Sequence, residues 1–205
     1  MLILKKAAQG SFRESFVLLF DLFTMLFDLF TMIVKTGKKN MNTIDCIKQR
    51  RSVRKYTSQK INKETQELLL HAAICAPSGK NGQPWRFKCI DDEQLIKDIS
   101  RLSIYRSWMQ TAPLLIAVFL DIANSYNYVK DVQSCGAAIQ NMLLAAKAVE
   151  IGSCWIGEIL PKQEKVKAML NISDDKYELM GIVVFGYPNE SPASPAKKEV
   201  ESFLI

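Results

Sequence analysis

The hydrophobic pattern of the chain contains two long apolar runs. They are "LLIAVFL" at 114–120 and "ELMGIVVFGY" at 178–187, and continuous runs of this length are typical of strands buried on both faces of a sheet. The shorter segments "RFKCI" at 86–90 and "SCWIG" at 153–157 predict two further strands. The pattern therefore predicts one sheet built from four strands.

Helices are predicted between these strands from N-capping side chains and from apolar positions at helical spacing. Thr43 precedes a short helix, Asn62 precedes "KETQELLLHAAICA", and Asp91 or Asp92 precedes a helix that runs to about residue 101. Strands separated by helices indicate one sheet with helices around it, in an α/β or an α+β arrangement.

The longest predicted helix is "YVKDVQSCGAAIQNMLLAAKAVEI" at 128–151, and Gly152 is expected to end it. Pro161 is the predicted start of the helix "PKQEKVKAML". The tail from Pro188 is rich in Pro and Ser and then charged, so we expect it to cross the surface in extended form.

Residues 1–40 form a leader in which "LFDLFTM" at 19–25 is repeated at 26–32. The apolar run 16–34 approaches the length of a membrane span, but Asp21 and Asp28 interrupt it on one helical face, at about 2.5 to 3.5 kcal/mol each in the bilayer centre. A helix lying on a membrane or on a partner fits better than a span. We favour the alternative that the repeat reflects sequence history, and that a single domain occupies residues 41–205.

Composition excludes several classes of function. The net charge of +6 is moderate and does not by itself indicate a nucleic-acid partner. The five cysteines are odd in number and contain no C-x-x-C pair, and His71 is the single histidine, so neither a disulfide framework nor a metal site is predicted. Free thiols of this kind are typical of a reducing cytosol, and a cytoplasmic location is expected.

The basic stretch "RRSVR" at 50–54 is the first candidate binding segment. In an extended conformation Arg50, Ser52 and Arg54 point to one side, because side chains alternate with period two. Two guanidinium groups and a hydroxyl suit a phosphate monoester. The alternative is a solvated basic face, as in a non-enzymatic module that binds anions or nucleic acid.

Two further segments carry groups that suit a heterocycle. The loop "PSGKNGQPW" supplies Ser78, Asn81 and Gln83 as hydrogen-bonding groups. In "GSCWIG" the peptide N–H groups around Ile156 and Gly157 could face a ring nitrogen. A rigid turn and a plain strand end are the alternatives. Since no dinucleotide fingerprint, P-loop or nucleophile set is present, a cofactor is expected to supply the chemistry.

Taken together, "RRSVRKY", "APSGKNGQPWRF", "GAAIQNMLLAAKAVEIGSCWIG" and "GIVVFGYP" with a basic tail resemble the nitroreductase family of FMN-dependent oxidoreductases over about residues 43–204. The resemblance implies an α+β fold with a central, mostly antiparallel sheet flanked by helices. It also implies an intertwined homodimer that holds two FMN molecules at its interface, and it does not include the leader.

The resemblance also implies roles for individual residues. Arg50, Ser52 and Arg54 match the motif that holds the FMN phosphate and ribityl chain, and Pro77, Ser78 and Asn81 match the loop contributed by the other subunit. Ile156 and Gly157 match the segment whose backbone lies near flavin N5, and Lys197 matches a tail cation that contacts phosphate. Arg51 and Gln83, in the same two segments, are further candidate cofactor-binding residues. Arg54, Ile156 and Gly157 are the implied catalytic set.

The activity implied is a ping-pong cycle in which NADH or NADPH gives a hydride to flavin N5 and an acceptor such as a nitroaromatic or a quinone then enters the same site. Arg54 would favour negative charge on the reduced ring.

The chain departs from the family at Ile156, where some members have glutamate, so only a backbone role is transferable there. Lys197 and Lys198 stand where the family often has a lysine and an arginine two residues apart. Residues 101–113 are brief, which predicts an open acceptor site.

Overall fold

The computed structural model describes residues 41–172 and 175–205, and Asn42–Ile205 form one compact unit. The predictions for the leader at residues 1–40 lie outside the described residues. Within the described part of the chain, no helix is long and apolar enough to cross a membrane.

A four-stranded sheet forms the centre of the unit. The strands are β1 Trp85–Ile90, β2 Leu114–Asp121, β3 Gly152–Ile156 and β4 Tyr177–Gly186. Their order is β1-β2-β4-β3, and all three neighbouring pairs are antiparallel. The α+β fold with an antiparallel sheet is therefore confirmed, while the intertwined dimer stays a prediction.

Six α-helices surround the sheet in the described ranges 41–172 and 175–205. They are α1 Thr43–Gln49, α2 Lys63–Ile74, α3 Glu93–Ser100, α4 Arg106–Met109, α5 Tyr128–Ala148 and α6 Gln163–Met169. Asn62 caps α2, and Asp92 rather than Asp91 caps α3. The N-cap of α1 is Asn42, whose side chain accepts the Asp45 N–H at 3.0 Å, so Thr43 is already helical.

Two predicted helix boundaries were wrong, the end of α5 and the start of α6. Helix α5 ends at Ala148, and Glu150 adopts a left-handed φ of 62°. Gly152 instead begins β3, where a Cβ would lie 2.9 Å from Val53 Cγ1, so its role is close packing rather than helix termination. Pro161 lies in a 3-10 turn, and α6 begins only at Gln163. Helix α4 was not predicted at all.

Both faces of the sheet are covered, which explains the continuous apolar runs. Alternate residues of β2 enter different cores: Ile116 packs in the core that contains residues of α2 and α5, and Ala117 in the core that contains residues of α3, α4 and α6. Every residue of β2 is consequently buried. The prediction of a strand buried on two faces is confirmed for β2.

Candidate functional site

The basic stretch lies along the free edge of β3. Ser52 forms a parallel bridge with Ser153, and the Val53 N–H donates to the Ser153 carbonyl at 3.0 Å. Val53 is buried while Arg54 is exposed, so these two neighbouring side chains point to different sides of the backbone. The segment acts as a short additional strand at this edge.

Tyr56 anchors this segment through a buried hydrogen bond. Its hydroxyl donates to the Val53 carbonyl at 2.5 Å, and only 7% of the residue is exposed. Burial is the main cause that raises the pKa of the Tyr56 phenol, so the hydroxyl keeps its proton and remains a donor. The ring lies against β4 because Gly186 has no side chain: a Cβ there would be 2.7 Å from Tyr56 Cδ1.

The C-terminal tail covers the other side of the basic stretch. The Asn189 N–H donates to the Lys55 carbonyl at 2.8 Å, and the Arg54 N–H donates to Glu190 Oε1 at 2.5 Å. Further along, the Ser194 hydroxyl accepts a hydrogen bond from the Arg51 guanidinium. Lys197 follows in the same extended tail and is exposed. The tail thus binds the backbone of Arg54 and Lys55 without using the Arg54 side chain.

Three of the predicted binding residues influence the Cys154 thiol of β3. Burial raises the pKa of the Cys154 thiol, and Arg54, Ser52 and Arg50 act in the opposite direction on that pKa. Their charges and hydroxyl therefore lie close enough to one point on the strand to influence its ionisation. The role of these three side chains in one binding site stays a prediction.

Arg51 is placed differently from its neighbours. Its Nη1 donates to the carbonyls of Lys48 and Arg50 at 2.7 and 2.8 Å, which caps the end of α1. Its Nε is buried and has no protein hydrogen-bond partner among the described residues. A buried donor of this kind is unfavourable unless something outside the chain accepts from it.

The end of β3 supplies backbone rather than side chains. Ile156 is only 1% exposed, so its side chain belongs to the core. Gly157 is exposed, and a Cβ added there would meet nothing within 4 Å. The next turn closes with the Leu160 N–H donating to the Gly157 carbonyl at 3.1 Å. Open space therefore adjoins this peptide segment.

The loop at 77–83 is held in one conformation. Ser78 Oγ accepts the Gln83 N–H at 3.0 Å, and φ is positive at Lys80, Asn81 and Gln83. The Lys80 ammonium lies 4.4 Å from the centre of the Tyr126 ring. Pro77, Asn81 and Gln83 are exposed. The loop thus presents its amide side chains on a rigid backbone.

Within one chain, this loop and the basic stretch lie at diagonally opposite corners of the sheet. The loop leads into Trp85 on the edge strand β1, which is level with Glu178, near the start of β4. On the other edge strand, β3, Ser153 pairs with Phe185, near the end of β4. Standard strand dimensions place the two corners about 14 Å apart across the sheet and about 20 Å apart along it. One chain therefore does not bring the two predicted halves together.

The sequence reasoning missed an aromatic group beside Arg54. The Arg54 guanidinium carbon lies 6.0 Å from the centre of the Trp108 ring, which also contacts the rings of Tyr105 at 5.7 Å and Tyr56 at 6.5 Å. The available signal was the i,i+3 spacing of the two aromatic residues in "YRSW". No local pattern places Trp108 beside Arg54, because the two residues are 54 positions apart in the sequence.

The residues present fit an FMN molecule. Arg50, Arg54 and the Ser52 hydroxyl offer donors for a phosphate, and the orphan Arg51 Nε lies in the same segment. The open space beside Gly157 leaves room for a planar ring next to the backbone. These features stand at one edge of the sheet, where a phosphorylated heterocycle would contact all of them.

Replacing Tyr56 with Phe is expected to lower the free energy of unfolding by about 1 to 3 kcal/mol, because the Val53 carbonyl loses its buried donor. Urea unfolding of the two proteins measures this. Tyr126→Phe is the matched control, since its hydroxyl is paired with Lys130 at the surface. Equal midpoints for both variants would contradict the role of Tyr56.

Comparisons with known proteins identify the family of the chain. The family model described as the Nitroreductase family matches residues 47–104 and 100–187. A protein of Archaeoglobus fulgidus, provisionally named NADH dehydrogenase/NAD(P)H nitroreductase, is 36% identical over 152 residues, covering 71% of this chain and 87% of that protein. The NADPH-flavin oxidoreductase of Vibrio harveyi is 23% identical over 163 residues, covering 74% and 68%.

A solved structure extends the similarity to three dimensions. It is a provisionally named nitroreductase of Desulfovibrio desulfuricans in complex with FMN, 34% identical, with a TM-score of 0.77 over 82% of this chain and 97% of that one. The antiparallel sheet, the sequence motifs and the matched length all agree. The chain belongs to the nitroreductase family.

Proposed function

We propose that this protein is an FMN-dependent NAD(P)H oxidoreductase of the nitroreductase type. The observation that carries the proposal is the position of residues 50–54 along the free edge of β3, the strand that leads directly into Gly157. The FMN in the similar Desulfovibrio structure and the reductase names of the relatives support the same assignment. Family membership favours an enzyme over the anion-binding module.

FMN, when bound, supplies hydride transfer through N5 from NADH or NADPH to an acceptor. The chain's own residues bind and orient it. Arg50 and Ser52 are proposed to hold the phosphate and ribityl chain, with Arg51 and Lys197 adding donors from the same segment and from the tail. The backbone at Ile156 and Gly157 is proposed to offer its N–H groups to the ring.

Arg54 has the largest proposed effect on chemistry. Its exposed guanidinium is a fixed positive charge beside the Trp108 ring. A cation on the pyrimidine side of the ring would stabilise the negative charge that develops there when electrons arrive. Its backbone bond to Glu190 holds the residue in place whatever its side chain does.

The second half of the site is proposed to come from a second copy of the chain. Pro77, Ser78, Asn81 and Gln83 cannot reach the basic stretch of their own chain, as the sheet register shows. Exposed apolar side chains suited to a homodimer interface lie on α1 and in the tail: Ile44, Ile47, Val200, Phe203 and Leu204. An intertwined homodimer with two flavin sites accounts for both observations.

The remaining features of the proposal concern the reaction and its setting. We propose a ping-pong cycle, in which the nicotinamide leaves before a nitroaromatic, quinone or similar acceptor enters, and a cytoplasmic location. The FMN-binding domain is proposed to occupy residues 41–205, with the leader at 1–40 outside it. The family match at residues 47–187 supports this division.

The purified full chain is expected to be yellow and to release FMN on denaturation. Anaerobic addition of NADH, and separately of NADPH, should bleach the flavin, and a panel of nitroaromatics and quinones should restore its colour. The titration also identifies the preferred nicotinamide and acceptor. A colourless protein that binds no added FMN would refute the proposal.

A further inference from the structure

Glu158, the residue directly after Gly157, forms a contact that the proposed function leaves unused. Glu158 Oε2 accepts a hydrogen bond from the Ser103 hydroxyl at 2.7 Å, and Oε1 accepts from the Ile104 N–H at 3.4 Å. Ser103 is buried with 6% exposure, and Glu158 is half-buried. A partly buried carboxylate with two donors is held more firmly than an exposed one.

The contact continues into the aromatic group beside Arg54. Ser103 Oγ also accepts the Tyr105 N–H at 3.1 Å, just before α4 begins at Arg106. Helix α4 carries Trp108, whose ring lies 6.0 Å from the Arg54 guanidinium. A chain of direct contacts thus runs from the residue after Gly157 to Arg54.

Gly157 needs such a restraint. Glycine has the greatest backbone freedom of any residue, and no side chain of its own can anchor it. It follows the last residue of β3, so the strand ladder no longer holds it, and among the described residues its carbonyl is bonded only locally, by the Leu160 N–H three residues along. A carboxylate fixed at the next residue limits the direction in which the Gly157 peptide can turn.

We propose that Glu158 is a positioning residue: through Ser103 and Ile104 it fixes the Gly157 backbone and the Tyr105–Trp108 segment relative to each other at the proposed flavin site. This inference rests on the proposed function. Glu158 needs no contact with FMN or substrate for this role. Its effect is on the alignment of the hydride donor, the flavin ring and Arg54. Misalignment of reacting groups lowers the rate of transfer reactions.

The test compares Glu158→Ala, Glu158→Gln and Ser103→Ala in the full-length FMN-loaded protein. Glu158→Ala is expected to slow anaerobic flavin reduction by NADH or NADPH about tenfold, mainly through loss of the shorter hydrogen bond, from Ser103 to the charged acceptor. It should also change the visible circular dichroism of the bound FMN. Glu158→Gln should restore most of both signals, because its amide oxygen still accepts from Ser103.

Glu93→Ala is the matched control, since it removes an exposed carboxylate that pairs with Lys97 on α3. Combining Glu158→Ala with Ser103→Ala should add little to either change, because both remove the same bond. Wild-type spectrum and rate in Glu158→Ala, or a Glu158→Gln variant as impaired as Glu158→Ala, would overturn the inference.

Two outcomes separate this inference from the proposed function. A wild-type protein that binds no FMN would refute the function itself. A wild-type protein that binds and reduces FMN normally, with Ser103→Ala indistinguishable from Glu93→Ala in spectrum and rate, would refute only the role of Glu158. Ser103→Ala also decides the matter if Glu158→Ala does not fold.

Discussion

Replacing Arg54 with Ala is expected to slow anaerobic reduction of the bound flavin by NADH or NADPH about 100-fold, as loss of a preorganised charge at a reacting centre does. FMN affinity should fall about tenfold, because one charge-assisted contact is lost. Stopped-flow absorbance measures the rate, and quenching of FMN fluorescence measures the affinity. The fold should be retained, since the Arg54 backbone N–H still donates to Glu190.

Lys55→Ala provides the control for this variant. It removes one positive charge at the next position along the chain. The Lys55 carbonyl, which accepts from the Asn189 N–H, is kept in this variant. We expect Lys55→Ala to keep the wild-type rate and affinity. If Lys55→Ala lowered the reduction rate and the FMN affinity as much as Arg54→Ala, the total positive charge rather than the placement of Arg54 would be responsible.

Complementation between two defective chains is expected to restore about half of the flavin sites. Arg54→Ala damages the half of the site at the β3 edge, and Asn81→Asp damages the loop half while keeping the left-handed conformation that Asn81 adopts. In a heterodimer of the two variants, one site contains both changes and the other contains neither. Two affinity tags isolate that heterodimer. Its FMN content is measured at an FMN concentration at which both variant homodimers are empty.

The control heterodimer pairs Arg54→Ala with Arg50→Ala. Both changes lie in the same half of the site, so each of its two sites keeps one defect and no FMN should return. If each chain formed a whole site by itself, the first heterodimer would also stay empty. Recovery in both heterodimers would show that the variants were not defective enough to test the arrangement.

Local sequence patterns predicted most of the secondary structure. The apolar run at 114–120 corresponds to β2, because a strand covered on both faces has no solvent-facing position for a polar residue. Asn62 was identified as a cap because its side chain satisfies an N–H of the first helical turn. The end of α5 was predicted wrongly because Gly152 is required by close packing against Val53, a residue about 100 positions away.

The candidate site was predictable in part for the same reason. Alternation in "RRSVR" is a local property, so the sequence predicted that Arg50, Ser52 and Arg54 share one side of the backbone, and the structure places Ser52 beside Ser153 of β3. Trp108 and Glu158 were missed. Their importance depends on contacts with Arg54 and Ser103, which are distant in sequence.

The sequence by itself determined the strands, most helices, the basic stretch and the family resemblance, since each depends on neighbouring residues or on motif order. Only the tertiary structure decided the strand order β1-β2-β4-β3, and with it the placement of the basic stretch and the loop at opposite corners of the sheet. Strand order depends on how two apolar faces are covered by helices from distant parts of the chain. No local pattern encodes that choice, because many orders bury the same residues equally well.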